Sequence, residues 1–167
     1  MKSAVIYYSY SGNTKKVAEA LAEFLMAKGQ ADLIALTALD ESDNFFAQCR
    51  RAFNSVKAKL EPTNFDLSGY DLVCFGTPVW AFGPAPAMNT YMDRCSGLKD
   101  KPVVLFTTYG SGTGNRNCLN YMQRVLAAKA ADNFTRFSIQ QSKVNDKEFI
   151  LSNIKEALKW MQKGMFL

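Results

Sequence analysis

Apolar and polar positions follow two rhythms along this chain. Residues 3–8, Ser3 to Tyr8, form a short continuous apolar run rich in Val, Ile and Tyr, the pattern of a strand buried on both faces. Over residues 14–27 the period lengthens. Val17, Leu21, Phe24 and Leu25 recur at helical spacing, while Lys15, Glu19 and Glu23 fall on the opposite face, which predicts a helix covering something apolar. Residues 31–37 predict a second short strand. In the longer segment from Leu39 to Tyr70, the positions of Phe45, Cys49, Ala52, Phe53 and Val56 predict a helix that Ser42 caps and that ends before Pro62. Further strands are predicted at 71–76, 102–107 and 134–139. Helices are predicted near 86–96 (Met88, Tyr91, Met92, Cys95), near 116–129 (Leu119, Met122, Val125, Leu126) and near 146–162 (Ile150, Ile154, Ala157, Leu158, Met161).

Five strands alternating with five helices imply an α/β fold, a doubly wound parallel sheet between two helical layers. No repeat, low-complexity tract or linker interrupts the 167 residues, so the expectation is a single domain over residues 1–167. No apolar run approaches the roughly 20 residues that cross a bilayer. Met1-Lys2-Ser3 leads directly into the first strand, which leaves no room for a signal sequence and makes a cytoplasmic location the expectation.

Composition removes several chemistries. The chain has no histidine, which excludes Ser-His and Cys-His nucleophile pairs and histidine-ligated metals. Its four cysteines, Cys49, Cys74, Cys95 and Cys118, lie more than twenty residues apart and form neither a zinc motif nor a redox dithiol. Cys118 and Arg124 have the C-x5-R spacing of cysteine phosphatases, but the residues between them carry a helical pattern rather than an anion-cradling loop. The net charge is +5. Its lysines and arginines come singly or in pairs, without the stripe or motif of a nucleic-acid protein.

In such a sheet, ligands bind beyond the carboxyl ends of the strands, where neighbouring connections diverge. Three segments stand there. Ser9-Tyr10-Ser11-Gly12-Asn13-Thr14 opens the first helix with three hydroxyls, an amide and a glycine, suited to a phosphate monoester held by neutral hydrogen bonds. The competing reading is an ordinary helix cap by Ser11 or Asn13. Thr77-Pro78-Val79-Trp80-Ala81-Phe82-Gly83-Pro84 puts two large aromatics in a strand-end loop, where exposure is costly unless something flat and apolar covers them. Thr108-Tyr109-Gly110-Ser111-Gly112-Thr113-Gly114 offers alternate glycines for close backbone approach and a further aromatic.

At these three segments the sequence resembles the flavodoxin family. The run Tyr8–Thr14 is similar to the family's phosphate signature, and Gly76-Thr77-Pro78-Val79-Trp80 followed by Gly83-Pro84-Ala85-Pro86 is similar to its tryptophan-bearing loop. The resemblance implies a flavodoxin-like five-stranded sheet in order 2-1-3-4-5 and non-covalent FMN. Flavodoxin is itself the standard example of that order. It also implies the site. Ser9, Ser11, Asn13 and Thr14 would hold the phosphate with the N–H groups of Tyr10 and Gly12, and Trp80 would stack on the ring. Ala81, Phe82 and Gly83 would face the ring nitrogen that accepts hydride, and Tyr109 and Gly110 would line the pyrimidine side or the other face. Thr77, Pro78, Val79, Thr108 and Ser111 complete the expected cofactor-binding set. No residue is singled out as catalytic or as a metal ligand.

Two features depart from mobile electron carriers, which are typically acidic. This chain is basic, and the segment between its second and third strands is enlarged and carries Arg50, Arg51, Lys57 and Lys59. Both fit the family's NAD(P)H or quinone oxidoreductases better than a carrier serving a redox partner protein. The resemblance further associates one-electron carriers with a peptide carbonyl that turns toward the cofactor, easiest beside glycine. Here Ala81 and Phe82 follow Trp80, and a left-handed conformation costs about 1–2 kcal/mol at a non-glycine residue. Mainly two-electron chemistry is therefore expected.

Overall fold

The computed structural model describes residues 1–40, 50, 57–110 and 112–162. In chain order the elements are β1 (Lys2–Tyr7), α1 (Asn13–Met26), β2 (Gln30–Ala35), β3 (Leu72–Trp80), β4 (Gly83–Pro84), α2 (Pro86–Arg94), β5 (Pro102–Tyr109), α3 (Asn115–Ala127), β6 (Asp132–Gln140) and α4 (Lys147–Ala157). Short 3-10 turns cover Gln141–Lys143 and Lys159–Gln162. The helix predicted from Ser42 through Val56 lies outside the described residues.

The parallel strands run in the order β2-β1-β3-β5-β6, which is the predicted 2-1-3-4-5 counted over parallel strands alone. The two-residue β4 folds back antiparallel on the end of β3. This is the flavodoxin-like three-layer fold. Alternate residues of the central strands feed two cores. Ala4, Ile6, Val73, Phe75, Val103 and Leu105 pack with Met88, Tyr91, Met92, Leu119, Met122 and Leu126 from α2 and α3. Val5, Tyr7, Leu72, Cys74, Val104 and Phe106 pack with Val17, Leu21, Leu25, Ile150 and Ile154 from α1 and α4. Burial on both faces is why these strands read as unbroken apolar runs.

Close approach across the sheet fixes one glycine. Gly76 pairs with Phe106, and a Cβ at position 76 would stand 2.0 Å from Phe106 Cζ. The Phe106 ring in turn stacks on Phe137, with centroids 5.6 Å apart and planes 11° from parallel.

Two element boundaries differ from the sequence reading by more than two residues. The third strand continues through Thr77–Trp80 instead of stopping at Gly76, because β5 keeps pairing with it as far as Pro78↔Thr108 after β1 has ended at Tyr7↔Gly76. The Gly76 carbonyl accepts from Tyr8 N–H on the β1 side. Strand alternation turns position 78 to that same edge, so the missing N–H of Pro78 falls where no neighbour remains to be bonded. The last helix stops at Ala157 rather than 162, and the chain continues as a 3-10 turn in which Trp160 Nε1 donates to Thr135 Oγ1 on β6 at 2.9 Å.

Cys74, Cys95 and Cys118 are free and buried. Burial pushes the Cys95 thiol up to about 11 and those of Cys74 and Cys118 further still, so all three behave as small hydrophobes. Cys118 lies within α3 and is fully buried, which disposes of the phosphatase spacing. Among the described residues no group of acids and cysteines could hold a metal ion, and no helix is long and apolar enough to cross a membrane.

The end of the sheet away from the strand carboxyl termini is held by one ammonium. Lys101 Nζ donates to the carbonyls of Leu67 at 2.8 Å, Ser68 at 2.6 Å and Tyr70 at 2.5 Å, closing the turn that leads into β3. Charged donors to carbonyls contribute about 1.5–3 kcal/mol each at most, with strong overlap when they share one group. Lys101→Met should lower the unfolding free energy by about 2 kcal/mol, measured by urea titration. An unchanged midpoint would show that the turn holds without its clamp.

Candidate functional site

The loop from Ser9 to Gly12 leaves the end of β1 and enters α1 through Gly12, whose φ of 83° is left-handed and suits glycine. No side chain caps this helix. Asn13 Nδ2 donates instead to Ser11 Oγ at 3.1 Å, so the two residues expected as alternative caps bond each other. The first-turn N–H groups of α1 therefore stay available, and such groups favour an anion. By contrast α4 is closed by Asp146, whose carboxylate accepts from Phe149 N–H at 3.0 Å.

Ser9 Oγ is buried and has no hydrogen-bond partner. A hydroxyl shielded from water with nothing to bond costs about 1–3 kcal/mol, and a phosphate oxygen would satisfy it. Thr14 is differently engaged. Its Oγ1 lies 2.7 Å from Thr108 Oγ1, both residues buried, with either atom able to donate. Whichever hydroxyl accepts keeps its own proton, so the pair retains one donor while tying α1 to the end of β5. The orphaned Ser9 hydroxyl, the uncapped helix and the left-handed glycine fit a phosphate monoester such as that of FMN.

These residues open onto a cleft of about 440 Å³ lined by Tyr10, Ser11, Asn13, Thr14, Pro78, Val79, Trp80, Ala81, Thr108, Tyr109, Gly110 and Gln141. The volume lies within the usual range for small-molecule sites. Of the residues expected from sequence, Ser9, Gly12, Thr77, Phe82 and Gly83 border the cleft through their neighbours rather than line it, and Ser111 lies outside the described residues. Gln141 is the lining residue that sequence reasoning missed. It follows β6, whose end lies beyond the divergence of connections that singled out the other loops. The β5–β6 pairing reaches Tyr109↔Gln140 and so sets Gln141 beside Gly110, where a Cβ would come 3.3 Å from Gln141 Oε1. None of the described lining residues carries a formal charge. Lys15 and Lys16 in the first turn of α1 are engaged with Glu19 at 3.8 Å and Asn145 Oδ1 at 2.7 Å.

The aromatics are arranged differently from the expectation. Trp80 is only 5% exposed, its ring meeting Tyr8 and Tyr10 edge-on, each at 5.6 Å. Because β3 runs on to Trp80, that side chain belongs to the sheet's packing instead of an open loop. The exposed aromatic residues beside the cleft are Tyr10 at 43% and Phe82 at 58%. Trp80 pairs with Gly83, leaving Ala81-Phe82 as a two-residue hairpin loop with φ of 45° and 67°. Two positive values define a type I′ turn, which ordinarily takes Asn-Gly. The left-handed conformation that sequence reasoning treated as a cost is thus adopted twice in succession, about 1–2 kcal/mol for each residue. The hairpin is held at its base by Ala85 N–H donating to Thr77 Oγ1 at 3.0 Å and Asn89 Nδ2 donating to the Pro84 carbonyl at 3.3 Å.

Residues 1–142 match the NADPH-dependent FMN reductase family. The chain belongs to that family and is a flavodoxin-like redox protein that binds FMN. Solved structures show the same fold. A flavoprotein from Lactobacillus acidophilus in complex with FMN is 22% identical, covering 88% of this chain and 98% of its own, with a TM-score of 0.62. An NADH:FMN oxidoreductase in apo form is 17% identical over 96% of this chain and 88% of its own, TM-score 0.66. Oxidised flavodoxin 2 from Bacillus cereus is 17% identical over 98% and 99%, TM-score 0.63.

Two outcomes are expected of this site. Ser9→Ala should weaken FMN about ten- to a hundredfold, the value of one hydrogen bond to a charged acceptor, and leave riboflavin affinity unchanged. Riboflavin binding to the unaltered apoprotein as tightly as FMN would refute the phosphate assignment. In a Trp160→Phe background, FMN titration should quench the remaining Trp80 fluorescence, and a constant signal would remove Trp80 from the cofactor's surroundings.

Proposed function

We propose that the protein passes two electrons from NAD(P)H to a quinone or similar acceptor, with FMN held in the cleft between the Ser9–Thr14 loop, the Trp80–Gly83 hairpin and the Thr108–Gly110 end of β5. When bound, FMN supplies the two-electron relay between donor and acceptor. The net reaction transfers a hydride from the reduced nicotinamide, and one proton from solvent completes the hydroquinone. The chain's part is to bind, orient and enclose. Ser9, the Thr14–Thr108 pair and the N–H groups of α1 hold the phosphate. Gln141 offers amide donors and an acceptor beside Gly110. None of the described lining residues is an acid or base at neutral pH, so the proton is assigned to water.

The observation that carries the two-electron reading is the Ala81-Phe82 turn. Turning over the peptide between these residues would convert type I′ into type II′, whose first central position is a glycine position. Ala81 stands there, and its Cβ opposes the change. The carbonyl motion that the flavodoxin resemblance associates with one-electron carriers is thereby hindered. The described lining residues are all uncharged, which supports the same reading, since a small flat acceptor needs no charged docking face.

Steady-state assays with NADH and NADPH as donors and menadione as acceptor should show turnover. Stepwise reduction of the loaded protein should pass directly from the oxidised to the fully reduced spectrum. A long-wavelength band dominating at half reduction, together with no turnover of either nicotinamide, would make the protein a one-electron carrier instead.

A further inference from the structure

Phe82 breaks two local rules at once. Its φ of 67° is left-handed, a conformation bulky side chains rarely adopt. The residue is also 58% exposed, the most exposed aromatic among the described residues. Glycine at this position would remove both penalties, because type I′ turns prefer it there and no core contact would be lost. One edge of the ring rests on the glycine-bearing entry to α3: a Cβ on Gly114 would stand 2.9 Å from Phe82 Cδ1. No other aromatic ring stacks on it among the described residues. Its neighbours Ala81 and Val79 line the cleft, so Phe82 stands on the cleft's border. Departures from local preference concentrate where function compensates for them.

We propose that Phe82 is a specificity-determining residue, kept in this strained and exposed position to stack on the flat ring of the second substrate as it enters the cleft. The inference rests on the oxidoreductase reading and sharpens it to a substrate class: a planar, uncharged aromatic or quinonoid ring. An aromatic face recognises such a ring by offset or edge-on packing. None of the described lining residues is charged, which favours a neutral ring over an ionic one. The hairpin presents Phe82 rigidly, since both ends of its two-residue loop are paired in the β3–β4 ladder, so little ordering is left to be done on binding.

The test compares the FMN-loaded protein with its Phe82→Gly and Phe82→Tyr variants. Menadione KM is measured in turnover, and menadione Kd is measured by calorimetry on the oxidised protein without donor. Phe82→Gly should raise both about three- to tenfold, the usual weight of one aromatic stack. Ferricyanide, which is octahedral and cannot stack, is the reference acceptor: the ratio of menadione to ferricyanide kcat/KM should fall in Phe82→Gly, whatever the substitution does to the flavin itself. Phe82→Tyr should restore both constants. The melting temperature of Phe82→Gly should equal or exceed that of the unaltered protein, because the turn is relieved. Unchanged Kd in Phe82→Gly overturns the proposal. So does a rise in Kd accompanied by a lowered melting temperature and an equal loss of ferricyanide turnover, which would mark a structural role. Failure of the unaltered protein to oxidise NADH or NADPH would defeat the oxidoreductase reading alone, since the calorimetric comparison judges Phe82 without turnover.

Discussion

Burial of β1, β3 and β5 on both faces leaves polar chemistry only one place to go, the strand ends. Over their shared register these strands are paired main chain to main chain, and most of their side chains are apolar and buried. At the carboxyl ends β1 feeds α1 on one face while β3 feeds α2 on the other, and the cleft is the space between those departures. The 2.7 Å bond between Thr14 and Thr108 spans it, joining the first turn of α1 to the end of β5 across the overshooting end of β3. Position and chemistry coincide there. The hydroxyls that brace the cleft are also neutral donors to an anion, which is how a phosphate can be accommodated without a lysine in the loop.

Much of this was legible from the chain. Unbroken apolar runs gave the strands and their double burial, and helical spacing gave α1 through α4 with most of the side chains they bury. The Ser9–Thr14 run announced itself by having more hydroxyl and amide groups than a cap requires. What was not legible depended on partners distant in sequence. Gly76-Thr77-Pro78 reads as a strand terminator, and only the continued pairing with β5 overrides it. Trp80 reads as an exposed loop aromatic, and only that extra strand length tucks it between Tyr8 and Tyr10. Gln141 carries no local signal at all, because its place beside Gly110 comes from the β5–β6 register.

The hairpin that follows Trp80 shows how stability is apportioned in this molecule. Two helix ends are closed in the ordinary way. Asp146 closes α4, and Lys129 Nζ donates to the carbonyls of Asp93 and Cys95 at the end of α2, where a cation opposes the helix dipole. Among the described residues that border the cleft, left-handed strain falls at Ala81 and Phe82, and it is confined there by the short β4 pairing and by Thr77 and Asn89 beneath. A rigid, slightly costly edge beside a well-relaxed frame is the arrangement that a site needing fixed geometry would favour.

The meeting of Gly76 with Phe106 has a consequence for how such sequences can diverge. The ring fills the volume that any side chain at 76 would need, and it is itself wedged against Phe137. The two positions are therefore free to change only together. A lineage that first shrank residue 106 would open a void beneath the strand ends before a larger residue at 76 could fill it, and the reverse order would produce a clash. Either intermediate is a fitness valley, so the glycine should persist through drift that rewrites most of the surface, for reasons that have nothing to do with the cofactor.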